Sequence, residues 1–303
     1  MKILVTGATG LIGRSLCRSL TSDNHTVVAL SRRPHGDSDL SAAAVHRWDP
    51  LGGPPPAEAL QGVESVVHLA GEPIAARRWS AEQKERIRGS RVISTRNLVE
   101  GLRQASSKPA TLISGSAVGF YGDRGDETLD ERSTSGSGFL PEICLDWESE
   151  AERAAGLSIR VVRVRTGVVL SRDGGALKKM LPAFKLGVAG RLGSGKQWFP
   201  WIHISDIVGI LRQSIFSSKV SGPVNATAPE PVTNAVFTRE LAGVLHRPAI
   251  LPAPEFLLRL AMGEMADILL GSQRVIPKAA EDSGYTFQFR TLGAALRDLF
   301  GSR

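Results

Sequence analysis

The stretch MKILVTGATGLIGRSL, Met1 to Leu16, decides the fold. Lys2 to Thr6 is a short apolar run with β propensity. Gly7, Gly10 and Gly13 follow at G-x-x-G-x-x-G spacing, and Leu11, Ile12, Leu16 and Leu20 then recur at helical intervals. The order is strand, glycine turn, helix. In such a unit the first glycine turns the chain off the strand, the second admits a pyrophosphate against bare backbone, and the third lets the helix pack closely on the strand. The helix N-terminus then offers free N–H groups and a positive dipole end to the phosphates. Gly7, Thr9, Gly10, Leu11, Ile12 and Gly13 are therefore expected to hold a dinucleotide. The plain alternative is an ordinary βα turn.

Working outward, His25 to Ser31 reads as a second strand that ends in Ser31-Arg32-Arg33. An acidic residue at this place suits the ribose 2′-hydroxyl of NAD, whereas arginine suits the 2′-phosphate of NADP. Guanidinium supplies paired, charge-assisted bonds to phosphate oxygens. Ser31, Arg32 and Arg33 thus point to NADP, against the alternative of a solvated basic turn. Pro34 to Ala43 reads as loop and Val45 to Trp48 as a short strand. Asp49 is open between contacting adenine and starting a turn before Pro50. Val63 to Leu69 is a further buried strand; Ala70 and Gly71 after it are small enough to let a cofactor pass, and the backbone from His68 to Gly71, Leu69 included, is expected to face the pyrophosphate and adenosine half of the ligand. His68 within it reads as a satisfied core histidine.

Ser80 to Ala105 reads as one long helix, with Ser80 and Gln83 resembling a capping box. Arg91 lies close to its apolar face and needs an acidic or phosphate partner if buried. Ala110 to Ser114 leads into Ser116 and Tyr121, two hydroxyls at the C-terminal end of a parallel strand, where open α/β sheets carry their ligands. Phe139 to Ala155 reads as helix and Ser158 to Arg165 as strand. Further on, Ala176–Leu186, His203–Ser217, Thr233–Leu245 and Pro254–Leu270 read as helices, with Ser205 or Asp206 capping the second. Pro223 to Ala226 is a short strand. The expectation is an α/β protein, a Rossmann-type doubly wound parallel sheet with a small, mainly helical C-terminal substrate region. Residues 1–172 form the NADP-binding part and 173–303 the substrate region, with about 200–226 returning to the core.

The 303 residues are 42% apolar and carry a formal charge of +7. The basic residues are spread along the chain without a basic run, which suits a protein that binds an anionic small molecule better than one that binds nucleic acid. Cys17 and Cys144 are the only cysteines, too few for a disulfide framework, and the six histidines lack metal-ligand spacing. No apolar run reaches the roughly 18 residues of a membrane span. A cytoplasmic protein is expected, with a homodimer open.

TGATGLIG (6–13), HLAG (68–71), SGSAVGFYGD (114–123) and WIHISD (201–206) together resemble an extended short-chain dehydrogenase/reductase. GEPIAARRW (71–79), GSRVISTRNL (89–98), DWESEA (146–151), RTGVVLSRDGGAL (165–177), GSGKQWFPWIHISD (193–206), NATAPEPVTNAVF (225–237) and SQRVIPKAAEDSGYTF (272–287) resemble its "epimerase family" branch. The resemblance covers nearly the whole chain. It implies a seven-stranded parallel sheet, NADP(H) held through Arg32 and Arg91, and the Val168–Val169 backbone near the nicotinamide. The chain departs from the pattern at its acid/base pair: the Tyr and Lys of the usual Tyr-x-x-x-Lys fall at Leu140 and Cys144. Arg91 stands where an Asn is usual, and of the usual set only the serine remains, as Ser116. Phe199-Pro200-Trp201 replaces the Arg-Asp pair common in nucleotide-sugar enzymes, which favours a small, partly apolar substrate.

Three functions compete. One is an NADP-dependent oxidoreductase in which Ser116 orients a carbonyl and Tyr121 supplies the proton, against the alternative that Tyr121 is a packed structural ring. Another is an epimerase working through the same site. The third is an NADP(H)-binding regulatory protein, linked to cell division, with little turnover.

Overall fold

The structure, a computed structural model, describes residues 1–33 and 40–301. Residues 34–39 of the expected Pro34–Ala43 loop lie outside them. Seven strands form the central sheet: β1 (Lys2–Thr6), β2 (Thr26–Ser31), β3 (Ala44–Arg47), β4 (Ser65–His68), β5 (Thr111–Ala117), β6 (Arg160–Thr166) and β7 (Gly222–Ala226). Their order across the sheet is β7-β6-β5-β4-β1-β2-β3, and every pairing is parallel. Strand order reverses at β1, so the crevice beyond the C-terminal end of β1 is where such a sheet takes its ligand.

Both faces are covered, which is why the strands are near-continuous apolar runs. Helices α1 (Leu11–Ser22) and α4 (Ile204–Phe216) cover one face, burying Leu16, Leu20, Ile207 and Leu211 against Ile3, Val5 and Val67. Helices α2 (Ala81–Gln104) and α3 (Phe139–Glu152) cover the other, burying Leu98, Leu102 and Ala151 against Leu4, Val66 and Leu112. Ser80 caps α2, its hydroxyl accepting from Gln83 N at 3.1 Å, as the sequence pattern anticipates.

A third core lies beyond β6. It joins the helix Gly175–Lys185, α5 (Asn234–Val244) and α7 (Leu292–Phe300) through Leu177, Phe184, Phe237, Leu241 and Leu296. Between α5 and α7 lies α6 (Glu255–Met262), which buries none of its residues. The chain re-enters the sheet layer through α4 and β7, and Ala280 and Phe287 also pack into the first core.

Two readings need correction. The single helix expected over Pro254–Leu270 stops at Met262, because Gly263 takes φ +60° and turns the chain into a 3₁₀ segment, Gly263–Ala266, before a one-turn helix, Asp267–Leu270. The cap of α4 is His203, whose Nδ1 accepts from Ser205 N at 3.2 Å. Asp206 turns inward instead, accepting from Tyr285 OH, Gln288 N and Phe289 N at 3.0, 2.8 and 3.0 Å. Among the described residues no helix is long and apolar enough to cross a membrane.

Candidate dinucleotide site

The glycine turn is as tight as its spacing suggests. Gly7 has φ +68°, and a Cβ there would sit 2.7 Å from the Leu69 carbonyl carbon. A Cβ on Gly13 would lie 2.2 Å from Gly7 O, so α1 packs on the turn at a distance that only glycine permits. Gly10 N donates to Gly7 O at 2.9 Å, and no side chain caps the start of α1 at Gly10. The first N–H groups of the helix therefore stand without a capping side chain, beside exposed Thr9 and Gly10. Leu11 reaches from this turn to the far wall of the crevice. A Cβ on Gly175 would lie 3.2 Å from Leu11 Cδ2 and 3.5 Å from Val169 O. The glycine turn, Leu11 and Val169 are thus brought together, although Val169 is remote in sequence.

Buried His68 ties the end of β4 to that of β1. Its Nδ1 lies 2.7 Å from Thr6 Oγ1 and its Nε2 3.2 Å from Ser94 Oγ. Ser94 gives its own proton to Ser90 O at 2.8 Å, so it accepts from Nε2–H while Thr6 donates to Nδ1. Thr6 Oγ1 in turn accepts from Ala70 N at 3.2 Å, which fixes the Leu69–Ala70–Gly71 bend. Burial lowers the His68 pKa from 6.5 to about 4, so the ring is neutral. At the end of β2, Ser31 Oγ accepts from Arg33 N at 3.2 Å, and Arg32 and Arg33 are exposed. Asp49 serves a turn, its Oδ1 accepting from Leu51 N at 3.1 Å.

Ser116 and Tyr121 share one buried polar network, at opposite ends of it. Ser116 Oγ donates to Glu148 Oε1 at 2.7 Å. Arg165 clamps the same carboxylate with Nε on Oε1 at 2.8 Å and Nη2 on Oε2 at 2.9 Å. Its remaining nitrogen, Nη1, donates to Tyr121 OH at 3.0 Å. The phenol proton has Asn225 Oδ1 and Asp130 O within 2.8 and 2.9 Å. Tyr121 is fully buried, and burial pushes its pKa up to about 12. Burial likewise pushes the Cys144 thiol up to about 12. Leu140 and Cys144 pack under the Val118–Tyr121 turn, 3.4 and 3.9 Å from where a Gly119 Cβ would be. Glu148, Arg165 and Asn225 escape the sequence reading. The available hint is the strand RVVRVRT, where Arg163 and Arg165 recur at two-residue spacing and so share one face of a central strand.

Arg91 lies across the end of β4. Its Cζ is 3.4 Å from a Cβ built on Gly71 and 5.3 Å from the centre of the Trp147 ring. Nη1 donates to Glu72 O at 3.0 Å and Ile87 O at 3.2 Å. Burial is the largest influence on this guanidinium and lowers its pKa. Among the described residues no carboxylate forms an ion pair with it.

The sequence profile of the NAD dependent epimerase/dehydratase family matches residues 3–221, and that of a domain family of unknown function matches residues 253–299. The chain is similar to an epimerase family protein of Mycobacterium bovis, 43% identical over 296 residues that take in 97% of this chain and 96% of that one. Among solved structures it is similar to human epimerase family protein SDR39U1 with NADPH, at a TM-score of 0.89 and 36% identity over 99% of each chain. It is also similar to a nucleoside-diphosphate sugar epimerase from Corynebacterium glutamicum, at a TM-score of 0.81 and 38% identity, covering 99% of this chain and 58% of that one.

Proposed function

Because the chain belongs to the NAD dependent epimerase/dehydratase family, we propose that it is an NADP(H)-binding oxidoreductase or epimerase acting on a small, partly apolar carbonyl or alcohol. The observation that carries this reading is the Gly7–Gly13 turn, which leaves backbone N–H groups without a capping side chain at the switch point of the sheet. In this reading Gly7, Thr9, Gly10, Leu11, Ile12 and Gly13 hold the pyrophosphate. Ser31, Arg32 and Arg33 hold the 2′-phosphate, and the human relative's structure with NADPH supports that choice of cofactor. Leu69, Ala70, Gly71, Arg91 and Val169 line the remaining length. When bound, the cofactor supplies hydride chemistry.

The roles expected of Ser116 and Tyr121 change once their partners are considered. A serine has one proton, and that of Ser116 goes to Glu148. Ser116 therefore meets a ligand with its lone pairs and orients a donor such as an alcohol O–H. Tyr121, with its hydroxyl shared among Arg165, Asn225 and Asp130, positions Arg165 and through it Glu148. Proton exchange with the substrate then falls to solvent.

A second reading, an NADP(H)-binding regulatory protein with little turnover, is favoured by the apolar packing of Leu140 and Cys144 where a Tyr–Lys pair would stand. Nicotinamide absorbance separates the two. Steady NADP⁺ reduction with members of an alcohol panel, falling at least about tenfold in Ser116→Ala, supports the enzyme. Bound NADP⁺ that no panel member reduces supports the regulatory protein.

A further inference from the structure

Helix α6 has no core of its own. Its sequence, EFLLRLAM, is mostly apolar, yet it buries none of its residues. A helix this short is marginal alone and takes its stability from packing an apolar face. Phe256, Leu257 and Leu260 share such a face by their spacing, and Phe256 and Leu260 are 67% and 73% exposed. The chain leading into α6 is joined to the segment after the helix Gly175–Lys185: Leu251 N donates to Ala189 O at 3.2 Å and Ala253 N to Arg191 O at 2.9 Å. That pairing leaves Leu186, Val188, Ile250 and Leu251 exposed as well. Seven of the twelve large apolar side chains exposed among the described residues thus gather in one region.

Area and charge together identify what covers it. At ordinary side-chain sizes the seven leave on the order of 800 Å² in solvent, more than the few hundred of a typical monomer patch and about what one partner buries in a standard interface. The charges of α6 neutralise each other, since Arg259 pairs with Glu255 at 2.8 Å and with Asp267 at 2.9 Å. The edge of the face carries both signs: exposed Lys185, Arg191, Arg239 and Arg247 stand beside exposed Glu240, Glu255 and Asp267. An anionic lipid surface or a nucleic acid calls for one sign. A face with both signs at its edge suits its own copy. It also holds both a hole and the pegs for one. A groove of about 450 Å³, lined in part by Arg191, Arg239, Ile250 and Pro252, opens along the lead into α6, from which Phe256 and Leu260 protrude.

We propose that this face meets the same face of a second copy, giving a two-fold dimer in which α6 of each chain packs across the groove of the other. The pairing supplies the core that α6 lacks within its own chain. It stands apart from the NADP(H) reading, because none of these residues belongs to the glycine turn or to the buried polar network.

The test is the mass of the purified chain by sedimentation across the micromolar range. A dimer of two 32.4 kDa chains is expected. Leu260→Glu and Ile250→Glu each bury an unpaired charge at the interface and weaken association at least about a hundredfold, which leaves monomer. Both positions are exposed in the single chain, so the circular dichroism spectrum stays that of the unaltered protein. Leu145→Glu, at an exposed apolar position on α3, leaves the dimer intact. A chain that sediments as monomer throughout overturns the proposal. So does a dimer that survives both Leu260→Glu and Ile250→Glu, or one that Leu145→Glu dissociates. Monomer that binds phosphatidylglycerol vesicles, with the binding lost in Leu260→Glu, overturns it in favour of a lipid surface.

Discussion

At the scale of single residues, the glycines and the buried charges make the sharpest demands. A methyl group on Gly13 has no room against Gly7 O at 2.2 Å. Gly13→Ala is expected to cost about 1–3 kcal/mol through overpacking and to abolish nucleotide binding, read by denaturant melts and NADPH titration. The Glu148–Arg165 pair is buried on both sides. Glu148→Ala leaves the guanidinium uncompensated and is expected to cost about 3–5 kcal/mol, whereas Glu148→Gln, which keeps an acceptor, costs less. Equal losses in the two variants would show that the charge, and not the retained acceptor oxygen, is what holds Arg165. The glycines were legible because their role is local: spacing along the chain sets it. Glu148 and Ser116 lie 32 residues apart, on a helix and a strand, and nothing in either segment announces the contact.

At the scale of elements, the strands and long helices followed from apolar periodicity, and the start of α2 from the capping chemistry of Ser80. The exceptions arise where tertiary partners outbid local ones. Asp206 has the chemistry of a helix cap, yet the segment Tyr285–Phe289 offers it three donors at once, and His203 takes the cap. The clip explains how a C-terminal segment is held against α4. Asp206→Ala strips the acceptors from three half-buried donors and is expected to cost roughly 1–3 kcal/mol and to expose the last 20 or so residues to proteolysis before global unfolding. Protection of that segment equal to the unaltered protein would remove Asp206 as its anchor. The break of α6 at Gly263 was missed for a related reason: the apolar pattern continues through it, while a left-handed glycine ends the helix.

At the scale of the whole molecule, the fold class and sheet were readable because a parallel sheet buried on both faces imposes long apolar strands at regular intervals. The polar network was not, because it is built from one residue on each of several elements. The molecule also carries a pH dependence that follows from its core. His68 has a pKa near 4 when folded against 6.5 ordinarily, so the unfolded chain binds the extra proton first. Stability is therefore intact above about pH 6.5 and declines as pH falls, by about 3 kcal/mol in all once below about pH 4. Urea melts at about pH 7 and about pH 5 should show this loss, and His68→Asn should flatten it over that range. Glu131, whose carboxyl is raised by burial from its ordinary 4.5, works in the opposite direction from about pH 4.5 upward, within the same acid range.

The central claim is that the chain binds NADP(H) through a glycine turn and an arginine-tipped second strand. Its most direct test is the affinity of the purified protein for NADPH and NADH, by calorimetry, with and without Arg32→Ala. A 2′-phosphate paired to arginine should favour NADPH by about 1.5–3 kcal/mol, roughly tenfold to a hundredfold, and Arg32→Ala should bring the two affinities together. Equal binding of the two nucleotides by the unaltered protein, or binding of neither, would contradict the account.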